Sequence, residues 1–194
     1  MDTAGALRIE PLVESRMDDF AAVVNPNRRQ KHCWCLSHRL SAQEIRERGG
    51  DDRCAAMCSL SREEIAPGVI AYLDDQPVGW CSISPRTQIP RLEASKLIRP
   101  VDDVAVWSII CMVVRGGFRR RGVNREMVRG AVEYAKKLGA PAVEAYPVDP
   151  EGRMDLTMAF VGTRKMFEEL GFEVVGVSDA QASRMPRLIM RKML

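Results

Sequence analysis

The part of the chain best equipped for chemistry is an arginine-rich stretch around Gly122. Between an apolar run and the start of a helical pattern, five arginines fall within eleven residues: Arg115, Arg119, Arg120, Arg121 and Arg125. The first N–H groups of a helix lack partners and carry the positive end of its dipole, so added cations are unfavourable there unless an anion is bound. A glycine at the turn lets a ligand approach the backbone closely. The stretch therefore predicts a phosphate or pyrophosphate site.

An arginine cluster can also be a solvated face or a patch that binds nucleic-acid phosphates. Composition argues against nucleic acid, because 29 Lys+Arg against 26 Asp+Glu leave a net charge of only +3. No helix-turn-helix spacing, zinc-finger spacing or aromatic run accompanies the arginines. The P-loop pattern and the dinucleotide pattern G-x-G-x-x-G are both missing from the sequence. We therefore expect a small phosphorylated cofactor and no nucleic-acid partner.

The residues on either side of this stretch predict the elements that position it. Residues 104–114 are apolar on both alternating faces, which is typical of a buried central strand. The alternation places Val104, Val106, Ile110, Met112 and Val114 on one face, and Ala105, Trp107, Ile109, Cys111 and Val113 on the other. A helical stripe then runs from Val123 to Leu138, where Gly139 and the nearby Pro141 end it.

The remaining patterns predict a mixed order of helices and strands. A strand over residues 7–12 precedes a mostly helical first third, and turn residues 74–77 join two strands of a hairpin. After the arginine-rich helix come a strand at 143–148, a helical stripe at 156–170 and strands at 172–177 and 188–194. Residues 84–103 contain three prolines and follow no period, so we expect a long surface connection that is either functional or a plain linker.

Residues 114–123, Val-Arg-Gly-Gly-Phe-Arg-Arg-Arg-Gly-Val, resemble the acyl-CoA pyrophosphate loop of the GNAT superfamily of N-acyltransferases, [RQ]-x-x-G-x-[GA]. Residues 167–172, Phe-Glu-Glu-Leu-Gly-Phe, resemble the family's late Y-E-K-L-G-F segment, and the order of elements agrees over nearly the whole chain. The resemblance implies an α/β (α+β) fold: one domain with a central mixed, twisted sheet of about seven strands flanked by helices.

The resemblance also implies a cofactor, a reaction and a set of binding residues. The co-substrate would be acetyl-CoA, whose acetyl group an amine of a small molecule or protein attacks directly. The alternative is a non-catalytic acyl-CoA-binding module. Residues 119–124 would supply donors to the pyrophosphate and residues 112–114 would pair with pantetheine, so the implied cofactor residues are Met112, Val113, Val114, Arg119, Arg120, Arg121, Gly122, Val123, Asn124 and Phe167.

Two positions depart from the family pattern. Asn124 stands in place of the second small residue of the loop, and Phe167 stands in place of a frequent tyrosine that protonates the leaving thiolate. Another group must then do this, or the thiolate leaves unaided, since a thiol with a pKa near 8.5 is a fair leaving group. Tyr146 and Glu144 share one strand face and are the candidate catalytic substitutes, against the alternative of ordinary packing and a rim charge.

Several further residues are candidates for the acceptor side. Cys33 and Trp34 are predicted to line the substrate pocket, and Arg86 with other arginines of the 84–103 connection suggests a carboxylate-bearing substrate. The cysteine and histidine spacings are poor for zinc, so we expect no metal. Cys111 lies in an apolar strand with no activating histidine nearby in sequence, so we do not expect a nucleophile there. Trp80 and Trp107 are expected to pack in the core.

Length and composition bound the whole molecule. At 194 residues and 46% hydrophobic content, we expect one domain over residues 1–194. Its parts would be a helical acceptor-side segment (1–66), the hairpin, central strand and cofactor loop-helix (67–148), and a C-terminal helix and strands (149–194). No signal-peptide pattern and no apolar run of about 20 residues is present, so we expect a cytoplasmic protein with reduced thiols and no membrane partner. A homodimer is left open.

Overall fold

The computed structural model describes residues 7–30, 32–150, 160–182 and 184–194 of the chain. The strands are β1 (Leu7–Pro11), β2 (Gly68–Leu73), β3 (Gln76–Pro85), β4 (Trp107–Val114), β5 (Ala142–Ala145), β6 (Glu173–Ala182) and β7 (Met185–Met193). The helices are α1 (Met17–Val24), α2 (Ala42–Glu47), α3 (Gly50–Leu60), α4 (Pro90–Glu93), α5 (Val123–Lys137) and α6 (Arg164–Glu168). Nowhere in these described ranges is a helix long and apolar enough to cross a membrane.

All seven strands form one mixed sheet in the order β1-β2-β3-β4-β5-β7-β6. Among these seven described strands only the central pair, β4 and β5, is parallel, and α5 makes the crossover between them. The expected fold, a single domain with a mixed sheet of about seven strands and flanking helices, is confirmed. Because the sole parallel pair lies at the centre, the arginine-rich loop after β4 emerges in the middle of the sheet.

Helices cover both faces of the sheet and bury separate clusters. On one face α5 packs Val123, Met127, Val128, Ala131 and Ala135 against the strands, as the helical stripe predicts. Leu138, which the stripe also includes, is 46% exposed. On the other face α1 and α3 cover a cluster around Trp80. We call this second face the acceptor face.

The predicted face assignment of the central strand is wrong beyond Ile109. The register pairs Ser82 with Cys111 but Ile83 with Ile109, so Ile110 has no partner opposite it and forms a β-bulge. Trp107, Ile109 and Met112 therefore share the α5 face, whereas simple alternation separates Met112 from the other two. The strand also begins at Trp107 rather than Val104.

Two other expectations for the second half of the chain need correction. The 84–103 connection is not a plain surface linker, because it contains a turn at Arg86–Gln88 and helix α4 and buries Ile89, Leu92 and Ile98 against residues of the sheet and Tyr146. Strands β6 and β7 are longer than the predicted strands at 172–177 and 188–194, and they take up most of the residues between these two ranges. The predicted stripe positions Leu156 and Ala159 lie outside the described residues.

Candidate active site

The central parallel strands separate within β4, before the arginine-rich loop begins. The register pairs Trp107–Ile109 of β4 with Val143–Ala145 of β5 and extends no further among the described residues. Beyond Ala145 the chain turns away, and Val148 forms isolated bridges to Thr163 and Arg187 instead. From Ile110 onward, the edge of β4 that faces away from β3 is thus open to a ligand's hydrogen-bonding groups.

The loop between β4 and α5 presents its backbone donors in a curved array. Arg120 and Gly122 have positive φ angles of 62° and 78°, and Gly122 is the N-cap of α5. None of the N–H groups of residues 119–124 donates to another described residue. Alternating backbone conformations of this kind gather successive N–H groups around an anion, and the dipole of the 15-residue helix adds positive potential.

A cavity of about 290 Å³ lies directly in front of these donors. It is lined by Val114, Phe118, Arg119, Arg120, Gly122, Val123, Asn124, Arg125, Gly162, Thr163 and Met166. The Asn124 Oδ1 atom is buried there without a hydrogen-bond partner among the described residues. A buried acceptor without a donor is costly, so a ligand that brings an N–H or O–H group would stabilise it. The residues present therefore fit a CoA-type cofactor.

The arginines of the loop take different positions. Arg125 forms an ion pair with Glu169 at 2.5 Å, and Arg115 donates to the Pro77 carbonyl. Arg119 lies exposed and donates from Nε to the Val114 carbonyl, while Arg121 stacks on the Phe118 ring at 5.8 Å. Arg120 is exposed beside Gly122 and makes no ion pair with a described residue. Of the arginines that line the cavity, Arg119 and Arg120 are therefore available to a phosphate.

Phe167, which the sequence places among the cofactor residues, does not line this cavity. Its ring is fully buried and packs edge-on against Phe172 at 5.0 Å, because the phase of α6 turns this residue into the core. Thr163 and Met166 of the same segment line the cavity instead. Sequence reasoning missed both, although each stands within four residues of the position that the family pattern marks.

Glu144 and Tyr146 lie on one face of their segment, as expected, but both side chains are fully engaged. The Tyr146 hydroxyl donates to Glu144 Oε2 at 3.0 Å and lies 2.8 Å from Ser108 Oγ. Arg191 donates to Glu144 Oε1, and Arg86 donates to the Tyr146 oxygen. Burial raises the pKa of Tyr146 above its ordinary value, so the phenol is neutral at physiological pH. A catalytic role for either stays a prediction.

Arg86 is buried and bonded within the protein rather than exposed on a surface loop. It is only 6% exposed and donates to the carbonyls of Leu92 and Ile98 as well as to Tyr146. Its Nε lies 3.3 Å from the Glu93 carboxylate. These contacts fasten the 86–98 segment to the central strands, and the predicted substrate contact of Arg86 stays a prediction.

The expected pocket residues Cys33 and Trp34 lie on the acceptor face. Trp34 is 7% exposed, has a positive φ of 50°, and lines a cavity of about 690 Å³ between α1, α3 and Arg115. Next to it, the sulfur atoms of Cys35 and Cys111 are 3.7 Å apart. Burial raises the pKa of Cys81, and Cys35 also has a raised pKa, chiefly through its thiol contacts to Cys111 and Cys33. Contacts between sulfurs thus link the 33–35 segment to β4.

Cys33 is expected to be the most reactive thiol of the protein. A hydrogen bond from Cys35 lowers the pKa of Cys33 to about 6, so its thiolate predominates above that pH, whereas an ordinary thiol ionises near 8.5. Iodoacetamide at pH 7 should modify Cys33 first, as peptide mass spectrometry would detect. This fast phase of modification should become slower only below about pH 6. Cys33→Ser should abolish that phase, while a rate that climbs through pH 8 would contradict the lowered pKa.

With the fold and the loop described, comparison with known proteins defines the class. The model of the Acetyltransferase (GNAT) family matches residues 34–172, which is well over half of the chain. The chain therefore belongs to the GNAT acetyltransferase family and is an N-acetyltransferase. No curated protein sequence matches it significantly.

Solved structures with the same fold cover almost the entire chain. A structure titled as an acetyltransferase is similar with a TM-score of 0.59 at 15% identity, covering 96% of this chain and 98% of that one. The PaiA N-acetyltransferase from Thermoplasma acidophilum in complex with coenzyme A gives 0.54 at 14% identity, over 97% and 99%. A ribosomal-protein-alanine N-acetyltransferase from Brucella melitensis gives 0.56 at 15% identity, over 96% and 99%. At such identities these matches support the fold alone.

Proposed function

We propose that the protein transfers an acetyl group from acetyl-CoA to a primary amine by direct attack. The observation that carries the cofactor assignment is the array of unpartnered N–H groups of residues 119–124 facing the cavity beside exposed arginines. The pyrophosphate would bind there, and the pantetheine arm would pair with the open edge of β4 at residues 112–114. CoA would supply the activated thioester.

The side-chain directions in β4 support the proposal that pantetheine binds to the backbone of this strand. Met112 is 4% exposed and packs under α5, while Val113 faces the opposite side of the sheet and Val114 borders the cavity. Their backbones pair with β3 on one edge, at Cys81, Trp80 and Gly79. Recognition of pantetheine would thus come from main-chain groups on the other edge.

The acceptor amine would approach from the acceptor face, where the helical 1–66 segment forms the wall. The amine nitrogen attacks the thioester carbonyl carbon, the C–S bond breaks, and CoA leaves as a thiolate that takes up a proton while the amine loses one. We propose that the Tyr146 network positions the end of β5 and that the thiolate leaves without a tyrosine acid, since its basicity is low enough.

Calorimetric titration with acetyl-CoA, followed by an assay of released thiol, tests the proposal. We expect one-to-one micromolar binding, weaker binding of CoA that lacks its 3′-phosphate, and thiol release with a member of a broad panel of primary amines. Binding without release for every amine would favour the non-catalytic acyl-CoA-binding module. A folded protein that binds no acetyl-CoA would refute the assignment of the loop.

Tyr146→Phe tests the positioning role. The change removes one hydroxyl that holds Glu144, Ser108 and Arg86, so we expect unfolding free energy to fall by about 1–3 kcal/mol and kcat to fall less than tenfold. The pH profile of kcat should keep its shape. If Tyr146 were a proton donor, kcat would fall about 100-fold or more and the alkaline limb of its pH profile would change. That outcome would show that Tyr146 is catalytic.

A further inference from the structure

Three arginines and a histidine converge on the acceptor face beside Tyr146. Arg187 comes from β7, Arg91 from α4, and His38 and Arg39 from the segment that precedes α2. The backbone N–H of Arg91 donates to the His38 carbonyl at 3.1 Å, and the Arg91 guanidinium donates to the Ser37 carbonyl. Two elements distant in sequence are therefore fastened together at this point.

Arg187 is a buried cation without a described anion. It is 8% exposed, and its Nε donates to the Tyr146 carbonyl at 2.9 Å, with the guanidinium 5.9 Å from the centre of the Tyr146 ring. Its terminal nitrogens make no hydrogen bond or ion pair with any described residue. Burial lowers the pKa of Arg187 to about 10.

The neighbouring Arg191 shows how the same strand neutralises a buried arginine. Arg191 is also 8% exposed, yet it pairs with Glu144 at 2.7 Å and with Asp102 at 2.6 Å. Arg187 has no such carboxylate among the described residues, and its terminal nitrogens are not completely shielded, so an anion from outside can reach them and lower the cost of burying the charge. A guanidinium suits a carboxylate because two parallel hydrogen bonds fit its planar fork.

The group of three arginines and His38 lies where an acceptor would need to bind. Tyr146 is the first residue beyond β5, and its ring packs in one cluster with Ile110, the bulged residue of β4. Because Arg187 contacts Tyr146, the group of arginines thus borders the point at which the two central strands separate, on the face opposite α5. This is the side from which the amine would reach the thioester.

We propose that Arg187 binds a carboxylate of the acceptor, so that the acceptor is a small primary amine that also carries a carboxylate. The substrate class rests on the proposed acetyl transfer, whereas the carboxylate site stands on the geometry alone. The two are therefore tested by separate measurements.

His38 reports on the occupancy of this site. Burial, with the charges of Arg187 from β7, Arg91 from α4 and the adjacent Arg39, lowers the pKa of His38 to about 4; its Nδ1 lies 3.4 Å from Ser37 Oγ. A carboxylate bound to Arg187 cancels part of that positive field, so it raises the pKa of His38. The chain has only two histidines, which makes the signals simple to assign.

The kinetic test compares amino acids with their amides, which differ in charge and little in shape. Glycine, β-alanine and 4-aminobutyrate are each paired with the corresponding amide in the thiol-release assay. We expect the acid of at least one pair to have the higher kcat/KM by tenfold or more, although the amide of an α-amino acid has the less protonated amine. An amide preferred in every pair would overturn the proposal.

Arg187→Gln removes the charge, and Arg129→Gln, an exposed arginine on α5, is the matched control. Arg187→Gln should raise KM for the preferred acid by 10- to 100-fold, leave the amide unchanged and abolish the preference, while Arg129→Gln should change neither. Equal losses for acid and amide would mean that Arg187 is only structural and would overturn the proposal.

NMR of the histidine ring protons tests the carboxylate site without turnover. In the presence of CoA, β-alanine and 4-aminobutyrate should raise the pKa of His38, their amides should not, and Arg187→Gln should remove the effect; His38→Gln assigns the signal. If no amine is acetylated but the pKa still rises, acetyl transfer fails and the carboxylate site stands. An unchanged His38 pKa with every acid would refute the site.

Discussion

Gly122→Asp is expected to lower the affinity for acetyl-CoA at least 100-fold in a protein that still folds. The new carboxylate would lie among the N–H groups that are proposed to hold the pyrophosphate, and a 100-fold loss corresponds to about 2.7 kcal/mol. The fold should survive, because a Cβ atom at this position meets no heavy atom within 4 Å. The positive φ of 78° costs about 1–2 kcal/mol in stability. Calorimetry with acetyl-CoA measures the effect.

Gly139→Asp is a matched control at the other end of the same helix. Gly139 has a φ of 79° and equally open surroundings, so the variant introduces the same strain and the same charge, about 20 Å or more from the loop by helix length. It should lose at least as much stability, because a carboxylate at the C-terminal end of α5 opposes the helix dipole, and it should bind acetyl-CoA as the wild type does. Equal affinity losses in the two variants, or none in Gly122→Asp, would contradict the cofactor assignment.

The loop and its helix are the parts of the structure that local sequence signals define best. A buried strand, a glycine with positive φ and an amphipathic helix follow one another within a few residues, and each depends on near neighbours alone. The capping box of Ser41 and Glu44 at the start of α2 likewise depends on four consecutive residues alone. Trp80 and Trp107 are buried in the core as alternation indicates.

Features that depend on distant partners were beyond the sequence patterns. The bulge at Ile110 arises from the register with β3, and it reverses which face the following residues occupy. The inward phase of Phe167 is set by how α6 docks on the sheet. No local pattern distinguishes Arg86, Arg187 and Arg191 from exposed arginines, because their burial and partners come from elements up to 89 residues apart.

These three buried arginines differ in whether they have partners inside the protein. Arg191 and Arg86 have their partners inside the protein, and together they fix Glu144 and Tyr146 at the end of β5. Arg187 lies on the same strand as Arg191 and contacts the same tyrosine, but no described carboxylate pairs with it. The network of Arg191, Arg86, Glu144 and Tyr146 therefore positions Arg187, the arginine that is proposed to bind a substrate.

Arg86→Met is expected to have the largest effect on stability. Methionine fills part of the space but leaves the carbonyls of Leu92 and Ile98 and the Tyr146 hydroxyl without their charged donor. Removing one partner from a buried charged network costs about 3–5 kcal/mol. For a chain of this size each kcal/mol shifts the midpoint by about 2–4 °C, so Tm should fall by about 10 °C in a thermal unfolding scan.

Arg99→Met is the control from the same segment, since Arg99 is exposed and bonds only to the Lys96 carbonyl. It should change unfolding free energy by less than about 0.5 kcal/mol. The pair separates the structural role of Arg86 from the substrate role that its sequence position suggests. A stable Arg86→Met protein with a raised KM for the acceptor would restore the substrate role. A destabilised variant with an unchanged acceptor KM below its Tm would establish that Arg86 holds the 86–98 segment on the central strands and does not bind the acceptor.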